Sequence, residues 1–127
     1  MLCRDKDRGE AALSQIQGDT HLLLVDMSSY ESIMALNLPE EVDVLVHNAG
    51  AMFDKREEVR WPSGMLERTF ALHVAGPFLL SRRVKTKDTI WVSSGGMYTF
   101  KLNTDQTVVP PEEPFNGTNA YARCKRA

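Results

Sequence analysis

Tyr121 and Lys125, four residues apart in the run NAYARCK, are of a type and spacing that could move a proton. On a helix the two side chains share one face. A free phenol, with a pKa of about 10, gives up its proton reluctantly near neutrality, and an ammonium close by favours the phenolate. Such a pair suits general acid–base work on an oxygen that gains or loses a hydrogen. Spacing alone does not establish it. At average usage, Tyr and Lys at this separation occur by chance in roughly one chain in four of this size. Support has to come from the elements that would position the pair.

Those elements alternate. HLLLV (21–25), VDVLV (42–46) and TIWVS (89–93) are short apolar runs bounded by polar residues, the pattern of strands buried on both faces in a parallel sheet. Between them lie helical patterns. Residues 7–17 place Ala, Leu and Ile at helical spacing and stop before Gly18. Residues 29–38 open on Ser29 with Glu31 in the first turn. A long helix is predicted over 63–83, with Leu66, Phe70, Val74 and Phe78 as a core-facing stripe. Pro77 has no N–H for the carbonyl of His73, so that helix should kink or break. Residues 101–118 read as an irregular loop, and a last helix begins near a Thr118 or Asn119 cap.

Alternation of this kind predicts an α/β sheet built from crossover units, in which ligands sit beyond the carboxyl ends of the strands. The polar motifs fall at those ends: Asp26 after the first run, HNAG (47–50) after the second, SSGG (93–96) after the third.

The bulk composition narrows the function classes. The 127 residues, 43% hydrophobic and 25% charged, suffice for one domain with a single core. A formal charge of -2 gives no electrostatic ground for nucleic acid or an anionic membrane as partner. RRVKTK (82–87) reads as a solvated helix end or turn. Cys3 and Cys124 have neither a disulfide framework nor metal-ligand spacing, and no metal is expected. The first ten residues are too charged for a secretory signal, and no apolar run has the length of a membrane span. The reducing cytosol is the expected compartment, which leaves the sequon NGT (116–118) an idle match.

Taken in order, CRD (3–5), LVDMSS (24–29), VLVHNAG (44–50), FALHVAGPFLL (70–80), WVSSGG (91–96) and YARCK (121–125) resemble the short-chain dehydrogenase/reductase superfamily. The resemblance spans nearly the whole chain. It implies a Rossmann-type, doubly wound parallel sheet and nicotinamide-dependent oxidation of an alcohol or reduction of a carbonyl. By that likeness Tyr121 gives the proton to the carbonyl oxygen, Lys125 supports it and holds the nicotinamide ribose, and Ser94 holds the oxygen. Ser94 is chosen over Ser93 because it immediately precedes the glycine pair. His73 stands where the family has an asparagine whose main-chain carbonyl steadies a water relay. Asp26 matches the contact to the adenine amine. Asn48, Ala49 and Gly50 match the stretch on which the adenosine ribose lies. Arg4, at the tail of the family's second strand, implies NADP, with NAD as the alternative.

The sequence also departs from the family pattern. No G-x-x-x-G-x-G occurs, so the first strand, the glycine-rich turn and the first helix have no counterpart in these residues, nor do the carboxyl-terminal strands. The expectation is therefore a single, incomplete domain over 1–127: a partial sheet with open edges, inactive by itself. A non-catalytic truncated product or pseudoenzyme is the alternative, acting through binding of a relative or of a nucleotide, with self-association through the open edges.

Overall fold

The computed structural model describes residues 1–101 and 114–127. Its elements run β1 (Leu2–Cys3), α1 (Lys6–Leu13), β2 (Leu23–Leu24), α2 (Tyr30–Met34), β3 (Glu41–His47), β4 (Glu58–Trp61), β5 (Gly64–Glu67), α3 (Arg68–Phe70), a π-helical turn (Ala71–Ala75), α4 (Gly76–Arg83), β6 (Lys85–Trp91), a 3-10 turn (Gly95–Thr99) and α5 (Gly117–Arg126). The predicted loop at 101–118 falls mostly outside the described residues.

Local chemistry explains the helix starts. Asp5 caps α1 by accepting from the N–H of Arg8 at 2.9 Å, and Ser29 caps α2 by accepting from Ser32 at 3.1 Å. Glu67 caps α3, taking the N–H groups of Thr69 and Phe70 and the Thr69 hydroxyl, all while almost fully buried. The cap of α5 is Asn116, two to three residues earlier than the sequence suggested; its Oδ1 accepts from Asn119 N–H at 3.0 Å.

The strands form parallel pairs, β1 with β2 and β3 with β6. Among the described residues these two pairs are not hydrogen-bonded to each other. This is the arrangement of an α/β crossover sheet without the strand that would join its halves, in keeping with the partial Rossmann-type fold. One face of β3–β6 meets α4. The other presents Val44, Val46 and Ile90, each about half exposed.

The region predicted as one long helix differs. Residues 64–67 are a strand, paired antiparallel with β4 through the two-residue connection Pro62–Ser63. Gly64 has φ +121, which suits a residue without Cβ at the end of so tight a turn. The helix then divides near Pro77, as expected, but by a π turn: the Gly76 N–H reaches back to the Ala71 carbonyl. Leu66 consequently lies on a strand, and Phe78 is 63% exposed instead of packed. Phe70 and Val74 do pack, against Ala120 and Cys124 of α5. The RRVKTK segment also differs from a simple helix end, since Lys85 and Lys87 belong to β6.

The main core gathers Val25, Met27, Ile33, Leu36, Trp61, Leu72 and Leu80. Polar tips inside it are satisfied. Trp61 Nε1 donates to the Ser28 carbonyl at 3.0 Å, and the Arg83 guanidinium closes α2 by donating to the carbonyls of Ile33 and Leu36.

Candidate active site

The end of β6 and the helix α5 are tied together through Lys125, which the sequence singled out, by Val92 and Ser93, which it did not. Lys125 Nζ donates to the Val92 carbonyl at 2.7 Å, leaving two of its three hydrogens for other acceptors. The Ser93 hydroxyl donates to the Lys125 main-chain carbonyl at 3.0 Å. Ser93 is thus committed to holding the helix. Ser94 differs: its Oγ accepts from the Gly96 N–H at 3.2 Å, so its own O–H proton stays available to a second oxygen. A side chain added at Gly96 would lie 3.6 Å from Ser94 Oγ and 4.0 Å from Tyr121 Cε1. The serine and the phenol therefore flank one small space. Lys125 Nζ stands 5.8 Å from the Tyr121 ring centre.

His73 joins this group from the π turn. Its ring meets Tyr121 edge-on, 5.1 Å between centres, and its Nε2 lies 2.9 Å from the Ala51 carbonyl oxygen. Gly50 packs against the same ring. Asn48, Ala49 and Gly50 are exposed at the carboxyl end of β3. Beside them is a cavity of about 360 Å³ lined by His47, Ala49, His73, Trp91, Ser93 and Lys125, among others. Four sequence-predicted groups, Ser94, Tyr121, Lys125 and His73, are thus brought together, with the 48–50 turn against them.

Arg4 and Asp26 sit apart from that cluster, at the ends of β1 and β2. Burial pushes the Asp26 carboxyl up, but hydrogen bonds from the Ser28 hydroxyl and N–H, aided by the charges of Arg4 and Arg68, bring it below the usual value. Arg68, Val92, Gly96 and Ala51 were not picked out from sequence. Val92 and Ala51 act through main-chain carbonyls, which leave no mark in residue identity. Cys124 is a buried thiol that burial, with Glu67 adding and Lys125 opposing, pushes up to about 12, so it is protonated and packs as an apolar group. Among the described residues no cluster has the makings of a metal site.

Burial lowers both buried histidines. For His47, whose Nε2 is 2.7 Å from Ser81 Oγ, desolvation is the cause. For His73 desolvation leads, Lys125 reinforces it, and the Ala51 carbonyl and Glu67 oppose it. Below the ordinary value of 6.5, the unfolded chain therefore binds more protons than the folded one, and stability rises with pH through that window. Thermal midpoints should fall as pH drops below about 6.5, and His47→Gln or His73→Asn should flatten the fall. An unchanged slope in both variants would refute this.

A parallel α/β fold with serine, tyrosine and lysine near one another beyond its strand ends is similar to that of the short-chain dehydrogenases/reductases. The chain is 37% identical to bovine dehydrogenase/reductase SDR family member 12 over 144 residues, and 35% identical to the human protein of that name over 142. Each alignment covers 99% of this chain and 44% of the relative, so the chain spans under half the length of the curated relatives it matches. No family model matches it. In fold it is similar to an uncharacterized protein of Mycobacterium paratuberculosis known from its crystal structure. The TM-score is 0.77 at 24% identity, over 98% of this chain and 47% of that one.

Proposed function

We propose that these residues form the substrate and nicotinamide half of an NADP-dependent carbonyl reductase or alcohol dehydrogenase acting on a small molecule. The supporting observation is the convergence of Ser94, Tyr121 and Lys125 on one space. When bound, a nicotinamide cofactor supplies or accepts hydride. The residues fit such a group: Lys125 keeps two N–H donors, and Asn48, Ala49 and Gly50 are exposed beside it.

In the reducing direction, Tyr121 gives its proton to the substrate oxygen. Ser94 donates its free O–H to the same oxygen and stabilises charge as it develops. Lys125, fixed by the Val92 carbonyl, holds the ribose hydroxyls with its remaining hydrogens. Asn48, Ala49 and Gly50 receive the adenosine ribose, Asp26 the adenine amine, and Arg4 a 2′-phosphate. NAD is the alternative, since a single arginine argues for NADP. The main-chain carbonyl of His73, which Pro77 cannot occupy with an N–H, holds the water that returns protons to Tyr121. The compartment in this reading is the cytosol.

The amides of a glycine-rich turn, which cradle a pyrophosphate at a helix start, are not among these residues. The 127 residues alone are therefore proposed to lack turnover. NADPH fluorescence titration tests the reading. A gene product carrying these residues behind a glycine-rich turn should bind NADP(H) and reduce carbonyls, and no binding at millimolar concentration would end it.

A second reading rests on the sheet. The two strand pairs do not join, and Val44, Val46 and Ile90 are bare. Unpaired edges recruit strands from other chains. A non-catalytic role through self-association or binding of a relative follows. Sedimentation of the 127-residue chain as a monomer at all concentrations, alone and mixed with the longer product, would exclude it.

A further inference from the structure

His73 touches both the 48–51 turn and the helix that bears Tyr121. On the turn side its Nε2 is 2.9 Å from the Ala51 carbonyl oxygen and 3.4 Å from the Ala51 nitrogen. One ring nitrogen cannot donate to the first while accepting from the second. The shorter contact decides, so Nε2 carries the hydrogen and Nδ1 is a bare acceptor. Nδ1 is buried and has no hydrogen-bond partner among the described residues. The ring is held by one hydrogen bond and by packing.

That packing is tight where it matters. A Cβ added at Gly50 would lie 2.7 Å from Cε1 and 3.4 Å from Nδ1 of the ring. The same ring meets Tyr121 edge-on, the two planes 88° apart. The charged or titratable groups facing His73 are Tyr121 and Lys125 from α5 and Glu67 from the end of β5. The turn itself, Asn48 to Ala51, contributes none. Close-packed interiors pass displacement from one side chain to the next, and a planar ring cannot be compressed between its neighbours.

We propose that His73 is a positioning residue whose side chain transmits the position of the 48–51 turn to the Tyr121 phenol, so that a ligand settling on the turn aims the acid. The family's asparagine at this place works through its main chain; the side-chain link belongs to the histidine. The functional meaning rests on the dehydrogenase reading, but the mechanical link does not.

The test therefore needs no cofactor. Gly50→Ala, His73→Ala and the double variant of the 127-residue chain are compared by the ring resonances of Tyr121 in carbon–proton NMR. Gly50→Ala is expected to move them, because the added methyl displaces the imidazole. In the His73→Ala background the same change should leave them where His73→Ala alone put them. Equal shifts in both backgrounds, or none in either, would overturn the proposal. The unsubstituted chain offers a second measurement that does not depend on the variants folding. Long-range nitrogen–proton spectra should show His73 as the Nε2–H tautomer, with cross-relaxation between its ring and that of Tyr121. An Nδ1–H tautomer, or no cross-relaxation, would also overturn it. Adding NADPH to a longer product that carries these residues behind a glycine-rich turn separates the two readings: if no resonance shifts there, the dehydrogenase reading fails while the coupling measured without cofactor stands.

Discussion

Replacing Tyr121 by phenylalanine, in a product that joins these residues to a glycine-rich turn, is expected to lower kcat for carbonyl reduction by about 10²- to 10⁴-fold, the usual worth of a positioned general acid. NADPH affinity should stay within about twofold, because the lost hydroxyl faces the space shared with Ser94 and not the lysine's anchor; a uniform binding loss would raise KM instead. Lys125→Met should behave differently. It removes the donors proposed for the ribose and also the bond to the Val92 carbonyl that fixes the last turn of α5 beside the end of β6. Both kcat and cofactor affinity should fall. Stopped-flow hydride transfer with separate titration of NADPH distinguishes the two patterns. Equal losses in affinity for both variants would show that Tyr121 binds and does not deliver protons.

The difference between those variants shows what the sequence could reveal of this site. Tyr121 and Lys125 were legible because a spacing of four residues on a helix is itself geometry. Ser94 was preferred to Ser93 only by its place beside the glycines, and the structure supplies the physical distinction: Ser93 spends its proton on the Lys125 carbonyl, whereas Ser94 accepts and keeps its own. The edge-on contact of His73 with Tyr121 joins positions far apart in the chain, and no local pattern encodes it.

The fold was legible to the same degree and for the same reason. VDVLV made a parallel strand where its β-branched run said it would, but the expected burial on both faces fails, since Val44 and Val46 are half exposed. The β4–β5 hairpin was missed because Leu66 continues a spacing of four with Phe70, Val74 and Phe78, which imitates a helical stripe. The competing signal was present in Trp61-Pro62-Ser63-Gly64, a turn composition between two short runs. Phe78, predicted to pack, is exposed and lines the cavity with Trp91 and Lys125.

Gly76→Ala is expected to be strongly destabilising, as is Gly117→Ala, whose added Cβ would likewise overlap a main-chain oxygen, that of Phe53. Inside an exposed helix the substitution would help by about 1 kcal/mol, since alanine forms helix better than glycine. At Gly76 the added Cβ would overlap the main-chain oxygen of Met27 and press on that of Ala71 at 3.1 Å. Neither is the far end of a flexible side chain. Relief requires moving α4 away from the segment after β2, which would open the contacts of Met27, Leu72 and Leu80 in the main core. Overpacking of ordinary cores costs about 1–3 kcal/mol, occasionally more, and an obstruction of backbone by backbone belongs to the upper end. Against a typical domain margin of roughly 5–15 kcal/mol, that loss alone is a large fraction of the whole. Gly95→Ala supplies the control, because nothing lies within 4 Å of the methyl it would add. Urea unfolding should therefore shift its midpoint far down for Gly76→Ala and hardly at all for Gly95→Ala. Similar midpoints for the two variants would mean that α4 does not approach Met27 as closely as the fold requires, and with it the placement of His73 and the π turn beneath Tyr121 would have to be redrawn.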